Sequence, residues 1–425
     1  MNINKLISKS ANLFDKYILS ISFCENKYTL ARAKIIEKKY VKRREYYNKL
    51  CEEKRIKYSK DNLIKDIKKH LKAKGISSKK KNIGEVHTFA FIPRVGWHYQ
   101  LYHDLSVLGD VSEFDYTKYG FSMNKLINAK NTNLLYRMNS KAFGKIKQIH
   151  KERPIDWIFV YASGYEISPK LVQKISDELG IPTLKMCLDD KQSWEGFSNG
   201  THRVGQIDLA TVFDISWTSS RITCEWYLAE GGRPIYLPEG SDILTYFPKE
   251  KTDKILISFV GQKYGFRSNV INFLKSNGIR ISTFGYGWNN EAVPFYKLAD
   301  IYSKSLINLG MGGIGFAEFI TNVKGRDFDV PMTGGGVYIT SFNPDLALHF
   351  NVGEEIICYR SREEMLELIR YYLKHKDEAR NIAKAGIERC LREHRWLHRY
   401  IEICQILGII DDSKSPNLII NEEST

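Results

Sequence analysis

From Glu85 onward the chain alternates short β-branched or aromatic runs with helix-forming segments, and this alternation constrains its fold more than any other feature. In the first half Val86–Ile92, Asp156–Tyr161, Pro182–Leu188, Leu209–Ile215 and Pro234–Leu237 read as strands. In the second half Ile255–Val260, Ile279–Phe284, Ser305–Leu309, Gly336–Thr340 and Glu355–Tyr359 do the same. Strands that alternate with helices pair in parallel, because only a crossover reaches a parallel neighbour, and the crossovers cover both faces of the sheet. The expected architecture is α/β, with two Rossmann-like doubly wound domains facing a cleft and a division near Ser241–Asp253. Residues 1–81 would be a basic helical extension, 82–245 the first domain, 246–410 the second domain with the C-terminal helices, and 411–425 a polar tail. The helix signals agree with this order. Pro169–Leu179 is stopped by Gly180, and Ser361-Arg-Glu-Glu364 is a capping-box pattern ahead of the apolar face Met365, Leu366, Ile369, Tyr372 and Leu373. Further helices are expected from about Lys376 to Trp396 and on to about Leu407.

The formal charge of +15 on 425 residues resembles a nucleic-acid signal until it is located. Residues 27–81 hold 21 Lys/Arg against 6 Asp/Glu, which is the whole surplus, so the body is near neutral and nucleic acid is an unfavoured partner. This segment has no Pro or Gly before Gly75 and carries a narrow apolar stripe at Ile36, Tyr40, Tyr47 and Leu50, then Leu63, Ile67 and Leu71. A helix of this kind suits a solvated face packed on the body, a weak coiled-coil arm, or a surface for anionic lipid or nucleic acid. Gly75–Gly84 reads as a linker. No run of 18 apolar residues and no signal-peptide pattern is present, and the seven cysteines form no C-x-x-C pair. A reducing cytoplasmic location follows as the expectation, with a peripheral position at the inner membrane face left open by the arm.

Chemistry concentrates in Lys324-Gly-Arg-Asp-Phe-Asp-Val-Pro-Met-Thr-Gly-Gly-Gly336. If a short helix begins near Phe328, with Pro331 in its first turn, its free N–H groups lie beside Lys324 and Arg326 and suit a diphosphate. Asp329 would repel phosphate, so its natural partner is the pair of hydroxyls of a ribose. The glycines Gly334–Gly336 permit close approach or positive φ before the next strand. A capped helix with a glycine turn is the plain structural alternative. Asp327 and Asp329 also match D-x-D, which could hold a divalent cation, but the two neighbouring cations favour a metal-free site. Gly310-Met-Gly-Gly-Ile-Gly315 satisfies G-x-G-x-x-G after a strand, yet the following segment breaks at Asn322–Gly325 instead of opening a long helix. His98 sits at a strand-to-helix turn, where a functional role and a packing role are both open.

Phe259-Val-Gly-Gln-Lys-Tyr-Gly-Phe-Arg267, Phe284-Gly-Tyr-Gly-Trp288, Arg326–Gly334, Asn343-Pro-Asp-Leu346 and Tyr371–Arg380 through Glu393-His394 together resemble the CgeB-type (spore maturation protein-like) glycosyltransferases of the GT-B superfamily. The likeness runs from about Asp253 to His398. It is weaker over Glu85–Phe247, where Leu188-Asp-Asp190 and Leu237-Pro-Glu-Gly240 are the recognisable pieces, and it leaves out residues 1–81. The resemblance implies a nucleotide-sugar donor as co-substrate, no other cofactor and no metal, and a glycan, lipid-linked or protein acceptor in cell-envelope polysaccharide biosynthesis. It places Asp329 where such enzymes carry a ribose-binding glutamate, five residues before Gly334, and Arg267 where an arginine faces the diphosphate. The lysine that often follows five positions later is here Asn272, and Lys324 and Arg326 stand in for it. Gly261, Gly334 and Gly335 complete the implied donor site. Asp190 and His98, near strand ends of the first domain, are the candidates for acceptor activation. The second reading is an inactive GT-B-like binding protein that acts through its basic arm.

Overall fold

In the computed structural model, which describes residues 22–128, 133–196, 204–249, 252, 254–288 and 293–412, the alternation resolves into two parallel sheets. The first contains β1 (Thr88–Phe91), β2 (Val111–Glu113), β3 (Trp157–Val160), β4 (Thr183–Cys187), β5 (Ile215–Thr218) and β6 (Pro234–Tyr236), in the order β2-β1-β3-β4-β5-β6. The second contains β7 (Ile255–Val260), β8 (Ser282–Phe284), β9 (Ser305–Leu309), β12 (Val337–Ser341) and β13 (Ile357–Tyr359), in the order β13-β12-β9-β7-β8. Between β9 and β12 the chain makes an antiparallel hairpin, β10 (Gly313–Ile314) and β11 (Ala317–Thr321). The expected tail beyond Asp412 and residues 1–21 of the extension lie outside the described residues.

Local signals account for most boundaries. Ser168 Oγ accepts from Leu171 N, Pro169 occupies the first turn, and Gly180 ends the Pro169–Leu179 helix at φ 61°. Ser361 Oγ accepts from Glu364 N as expected, but the Glu364 carboxylate reaches the N–H of Arg360 and not that of Ser361. The strand expected at Leu209–Ile215 begins only at Ile215. Asp214 is held sideways by the N–H and hydroxyl of Thr183, at 2.8 and 2.9 Å, and Ile207–Leu209 forms a 3-10 turn instead. The G-x-G-x-x-G run folds into the hairpin, with Gly310 packed beneath the Tyr338 hydroxyl, so no dinucleotide fingerprint forms.

The basic extension is built into the body. Helix Ser22–Lys54 lays Tyr47 against Trp226 (stacked, 5.4 Å) and Trp194 (edge-on, 5.7 Å), and the Tyr47 hydroxyl bonds Glu230 and Trp194. Helix Lys60–Ala73 buries Leu63, Ile67 and Leu71 in the core of the first sheet. Its cations serve as anchors too: Lys74 Nζ and His70 Nε2 both meet the buried Asp214 carboxylate.

The second domain does not keep all of residues 246–410. Helix Trp396–Ile406 returns to the first sheet, where Trp396, Leu397, Tyr400, Ile401 and the apolar residues up to Ile410 join the core of β1, β3 and β5. Two strands of chain therefore cross between the halves side by side: Ser241 N donates to His394 O at 2.8 Å and Trp396 N to Ser241 O at 3.2 Å. Gly240 makes this possible, since a Cβ there would stand 2.6 Å from Trp396 N.

Candidate functional site

In both sheets the strand order reverses beside the first strand, between β1 and β3 and between β7 and β9. Such a reversal splays the loops at the carboxyl ends and opens a crevice for ligand. The two crevices face each other and enclose a cavity of about 340 Å³. The first half contributes Trp97 after β1, Tyr161 after β3, Asp189 after β4 and Glu239 after β6. The second contributes Gly261, Gly285, Tyr302 and the segment Lys324–Asp329, and Trp396 comes from the returning helix.

One wall is cationic. The helix Arg326–Met332 begins two residues before the expected start, so Pro331 lies inside it and not in its first turn. Asp327 starts that turn: Oδ2 accepts from Lys324 N at 2.8 Å and Oδ1 from the Tyr338 hydroxyl at 2.7 Å. Lys324 Nζ spans the cleft to Asp189 Oδ1 at 2.7 Å. Arg326 donates from Nη2 to Met311 O at 3.3 Å, and Arg267 from Nη1 to Gln262 O at 2.9 Å. The buried Nε of each has no partner. Burial, and then the facing Arg326 guanidinium, lowers the Arg267 pKa to about 10. Neither arginine pairs with a carboxylate among the described residues. Two neighbouring guanidiniums with unfilled N–H groups suit an oxyanion, which would fill those groups and ease the repulsion.

Beside this wall lie acids. Asp329 is buried and its Oδ1 has no hydrogen-bond partner. A Cβ on Gly325 would stand 3.0 Å from Glu239 Oε2 and 3.5 Å from Asp329 Oδ2, so glycine lets carboxyls from both halves close on one backbone position. Burial pushes Glu239 up to about 8 against the pull of the Lys324 ammonium, with Asp189 adding to the rise. Asp329 is pushed well above the carboxylate range by burial, opposed by the Ser241 hydroxyl and reinforced by Glu239 and Asp242. Asp189 is the opposite case: the Lys324 ammonium, outweighing burial, holds its carboxyl below the usual range.

Of the residues singled out from sequence, Gly261, Lys324, Arg326 and Asp329 line the cavity, and Arg267 stands directly behind Gly261. Four others do not. Asp190 turns into the first domain, where it accepts from Thr218 Oγ1 and the Tyr227 hydroxyl, each at 2.5 Å, beside the buried Lys185. Its neighbour Asp189 takes the wall position, because the short helix Asp190–Ser193 rotates the second acid of the pair inward. His98 is set behind Trp97 and Tyr161, its Nδ1 3.0 Å from Pro93 O. Gly334 and Gly335 are packing glycines: added Cβ atoms would lie 2.1 Å from Ile387 Cδ1 and 2.0 Å from Tyr302 O. Glu239 and Asp189 were visible in the sequence only as parts of Leu237-Pro-Glu-Gly240 and Leu188-Asp-Asp190. Trp97, Tyr161 and Trp396 carried no sequence signal of a site.

Residues 267–405 match the family model described as glycosyl transferase-like. No curated protein matches the sequence significantly. Among solved structures, a sucrose-phosphate synthase from Thermosynechococcus elongatus is similar at 11% identity and a TM-score of 0.52, over 76% of this chain and 98% of its own. HepE of Anabaena, solved in complex with UDP, is similar at 10% identity and a TM-score of 0.48, over 76% of this chain and 99% of its own. The chain shares the GT-B fold with the sucrose-phosphate synthase, and residues 267–405 are similar to glycosyl transferase-like domains.

Proposed function

We propose that this protein transfers a glycosyl group from a nucleoside-diphosphate sugar, bound in the cavity between the halves, to a hydroxyl of a glycan, lipid-linked or protein acceptor, in the manner of CgeB-type enzymes of envelope polysaccharide synthesis. The observation that carries this reading is the neighbouring pair Arg267, buried, and Arg326, half-buried, without carboxylate partners among the described residues and with buried, unfilled Nε–H groups. As the glycosidic bond breaks, charge grows on the departing diphosphate, and preorganised guanidiniums stabilise that charge more in the transition state than in the ground state. Asp329 Oδ1, which lacks a donor, accepts from the ribose hydroxyls. Lys324 joins the phosphates when they arrive and so releases Asp189 on the opposite wall. Asp189 then takes the acceptor's proton, the role first assigned to Asp190. In this reading the transfer is metal-independent, because Asp327 is committed to Tyr338 and the Lys324 backbone and three cations already neutralise the diphosphate.

Thermal-shift and calorimetric titration with UDP, GDP, CMP and dTDP tests the proposal, since a ligand that binds the native state raises its stability. One of the diphosphates should bind with an affinity unchanged by excess EDTA. Absence of binding by all four refutes the donor site, and a loss of about tenfold or more in EDTA moves Asp327 and Asp329 to a metal role.

No helix among the described residues is long and apolar enough to cross a membrane. Lys34, Lys38, Lys42 and Lys49 are exposed on the outer side of Ser22–Lys54, and this supports a cytoplasmic enzyme resting on an anionic membrane face. Flotation with anionic but not neutral vesicles, reversed by salt, is the expected result. Equal flotation with both removes the membrane from the reading.

A further inference from the structure

A second cavity, of about 520 Å³, lies on the other side of the Lys324–Asp189 bridge. Lys191, two positions after Asp189, donates from Nζ to Thr321 O at 2.8 Å. The segments Asp189–Lys191 and Thr321–Lys324 thus form a common wall, with the donor cavity on one side and this cavity on the other. No single domain builds the rest. Tyr40 and Arg44 come from the long basic helix, Lys57 from the turn that follows it, Arg221 from the first domain, and Phe319 and Asn343 from the second.

Its chemistry is that of a site for a charged sugar. Four cations, Arg44, Lys57, Lys191 and Arg221, face two acids, Glu225 and Asp345. Asp345 is already engaged, since its Oδ2 accepts from Arg221 N at 3.0 Å. Arg44, Lys57 and Arg221 form no ion pair among the described residues. Asn343 supplies an independent sign of a missing ligand. It is 3% exposed, its Oδ1 accepts from Asp345 N at 2.8 Å, and its Nδ2 has no hydrogen-bond partner. A buried donor without an acceptor is retained at a penalty unless something else accepts from it. The Phe319 ring, 67% exposed at the edge of the cavity, offers an apolar face of the kind on which a pyranose ring stacks. Carboxylates set among the cations favour an occupant that carries hydroxyls as well as isolated negative charges, and they disfavour an unbroken phosphate backbone.

We propose that this second cavity is an acceptor subsite, binding a phosphate or carboxylate carried by the acceptor glycan while the neighbouring sugar hydroxyl passes the common wall toward Asp189. The proposal rests on the first cavity being the donor site. It also gives the basic extension a part in recognition: its long helix and the turn that follows close one side of the acceptor path, and Arg44 selects for acidic chains.

Calorimetry on the full chain with UDP present tests it, using three probes: a hyaluronan tetrasaccharide for carboxylate, a glycerol-phosphate oligomer for phosphate, and maltotetraose as the neutral control. One acidic probe should bind at least about tenfold more tightly than maltotetraose. Arg44→Glu and Arg221→Ala, both at exposed positions, should each weaken that probe by about tenfold or more and leave UDP and maltotetraose unchanged. Equal binding of acidic and neutral probes, or acidic binding that ignores both substitutions, overturns the subsite. A short single-stranded RNA that outcompetes both acidic probes overturns it as well. The nucleotide titration separates the two readings: if none of UDP, GDP, CMP and dTDP binds, the donor assignment fails, whereas nucleotide binding without acidic-probe binding defeats only this proposal.

Discussion

Glu239→Gln should remove a large part of the pH dependence of stability. The Glu239 carboxyl, ordinarily near 4.5, is pushed up to about 8 because burial outweighs its attraction to Lys324, with Asp189 and Asp327 adding to the rise and Arg326 opposing it. Below about 4.5 both the native and the unfolded chain hold the proton, and the stability it contributes is fully present. As pH rises, the unfolded chain gives up the proton first, so stability falls continuously until the native state also ionises near 8. A shift from 4.5 to about 8 is worth at most about 5 kcal/mol, of which roughly 4 kcal/mol is lost between about pH 5 and about pH 9. Glutamine keeps the shape and one acceptor but has no proton to lose. Urea unfolding of wild type and variant across that range should therefore show the variant gaining on the wild type by up to about 4 kcal/mol with m-values unchanged. Asp329 is raised in the same direction, and because Glu239 reinforces that rise, the variant also eases part of it. The affinity of the wild type for a nucleoside diphosphate should fall as native Glu239 ionises, near pH 8 and above, because the charge it gains lies beside Gly325, and the variant should lack this fall. A gap between the two stability curves that is constant with pH would refute both the burial argument and the placement of Glu239 in the cavity.

Arg326→Ala should reduce affinity for UDP by about 1.5 to 3 kcal/mol while leaving uridine nearly unchanged, and equal losses in calorimetry would exclude a diphosphate contact. Asp329→Asn should weaken uridine and UDP alike by roughly 1 to 3 kcal/mol, since the amide has a single acceptor atom for two ribose hydroxyls; a loss confined to UDP would contradict the assignment. Asp190→Ala should destabilise by about 3 to 5 kcal/mol by leaving the buried Lys185 without its counter-charge, yet spare UDP affinity, whereas intact stability with lost turnover would restore Asp190 to catalysis. Tyr47→Ala, which empties a site between Trp194 and Trp226, should cost about 3 to 5 kcal/mol in chemical denaturation, and a change near zero would show that the extension is only loosely attached.

The parallel sheets were legible because the signal is local. Strands buried on both faces read as continuous apolar runs, and Ile255–Val260 and Ser305–Leu309 form over the residues expected. β2 and the β10–β11 hairpin were not legible, since Val111–Glu113 is only half-buried and Gly313–Ile314 is a two-residue strand too short to carry a period. The place of the last helix was hidden for a related reason. Trp396, Leu397, Tyr400 and Ile401 are apolar toward whichever core they meet, and the choice of the first sheet is made by the crossing at Ser241 and by Asp104, which accepts from Leu397 N and Arg395 Nη2.

The site divides along the same line. Lys324, Arg326 and Asp329 share one short segment, so charge order along the chain was enough to find them, and Gly325 leaves the two carboxyls room to close on that segment. Asp189 and Asp190 could not be separated in sequence, because a strand that ends in a four-residue helix leaves its period-two alternation at that very point. Glu239 required knowledge of how the halves meet: it lies on the crossing between domains, and its chemistry arises only when the second domain brings Lys324 and Asp329 to it. Charge composition gave the opposite difficulty. The charge surplus left three readings of the extension open, a face packed on the body, a coiled-coil arm and a surface for lipid or nucleic acid, and the structure packs it on the body, with Lys74 on Asp214, Arg43 on Glu195 and the exposed Arg44 beside the second cavity. A basic segment that anchors itself through its own charges cannot be removed as an appendage. If the second cavity binds the acceptor as proposed, acceptor specificity is coupled to the folding of this basic segment, which lies outside the family resemblance.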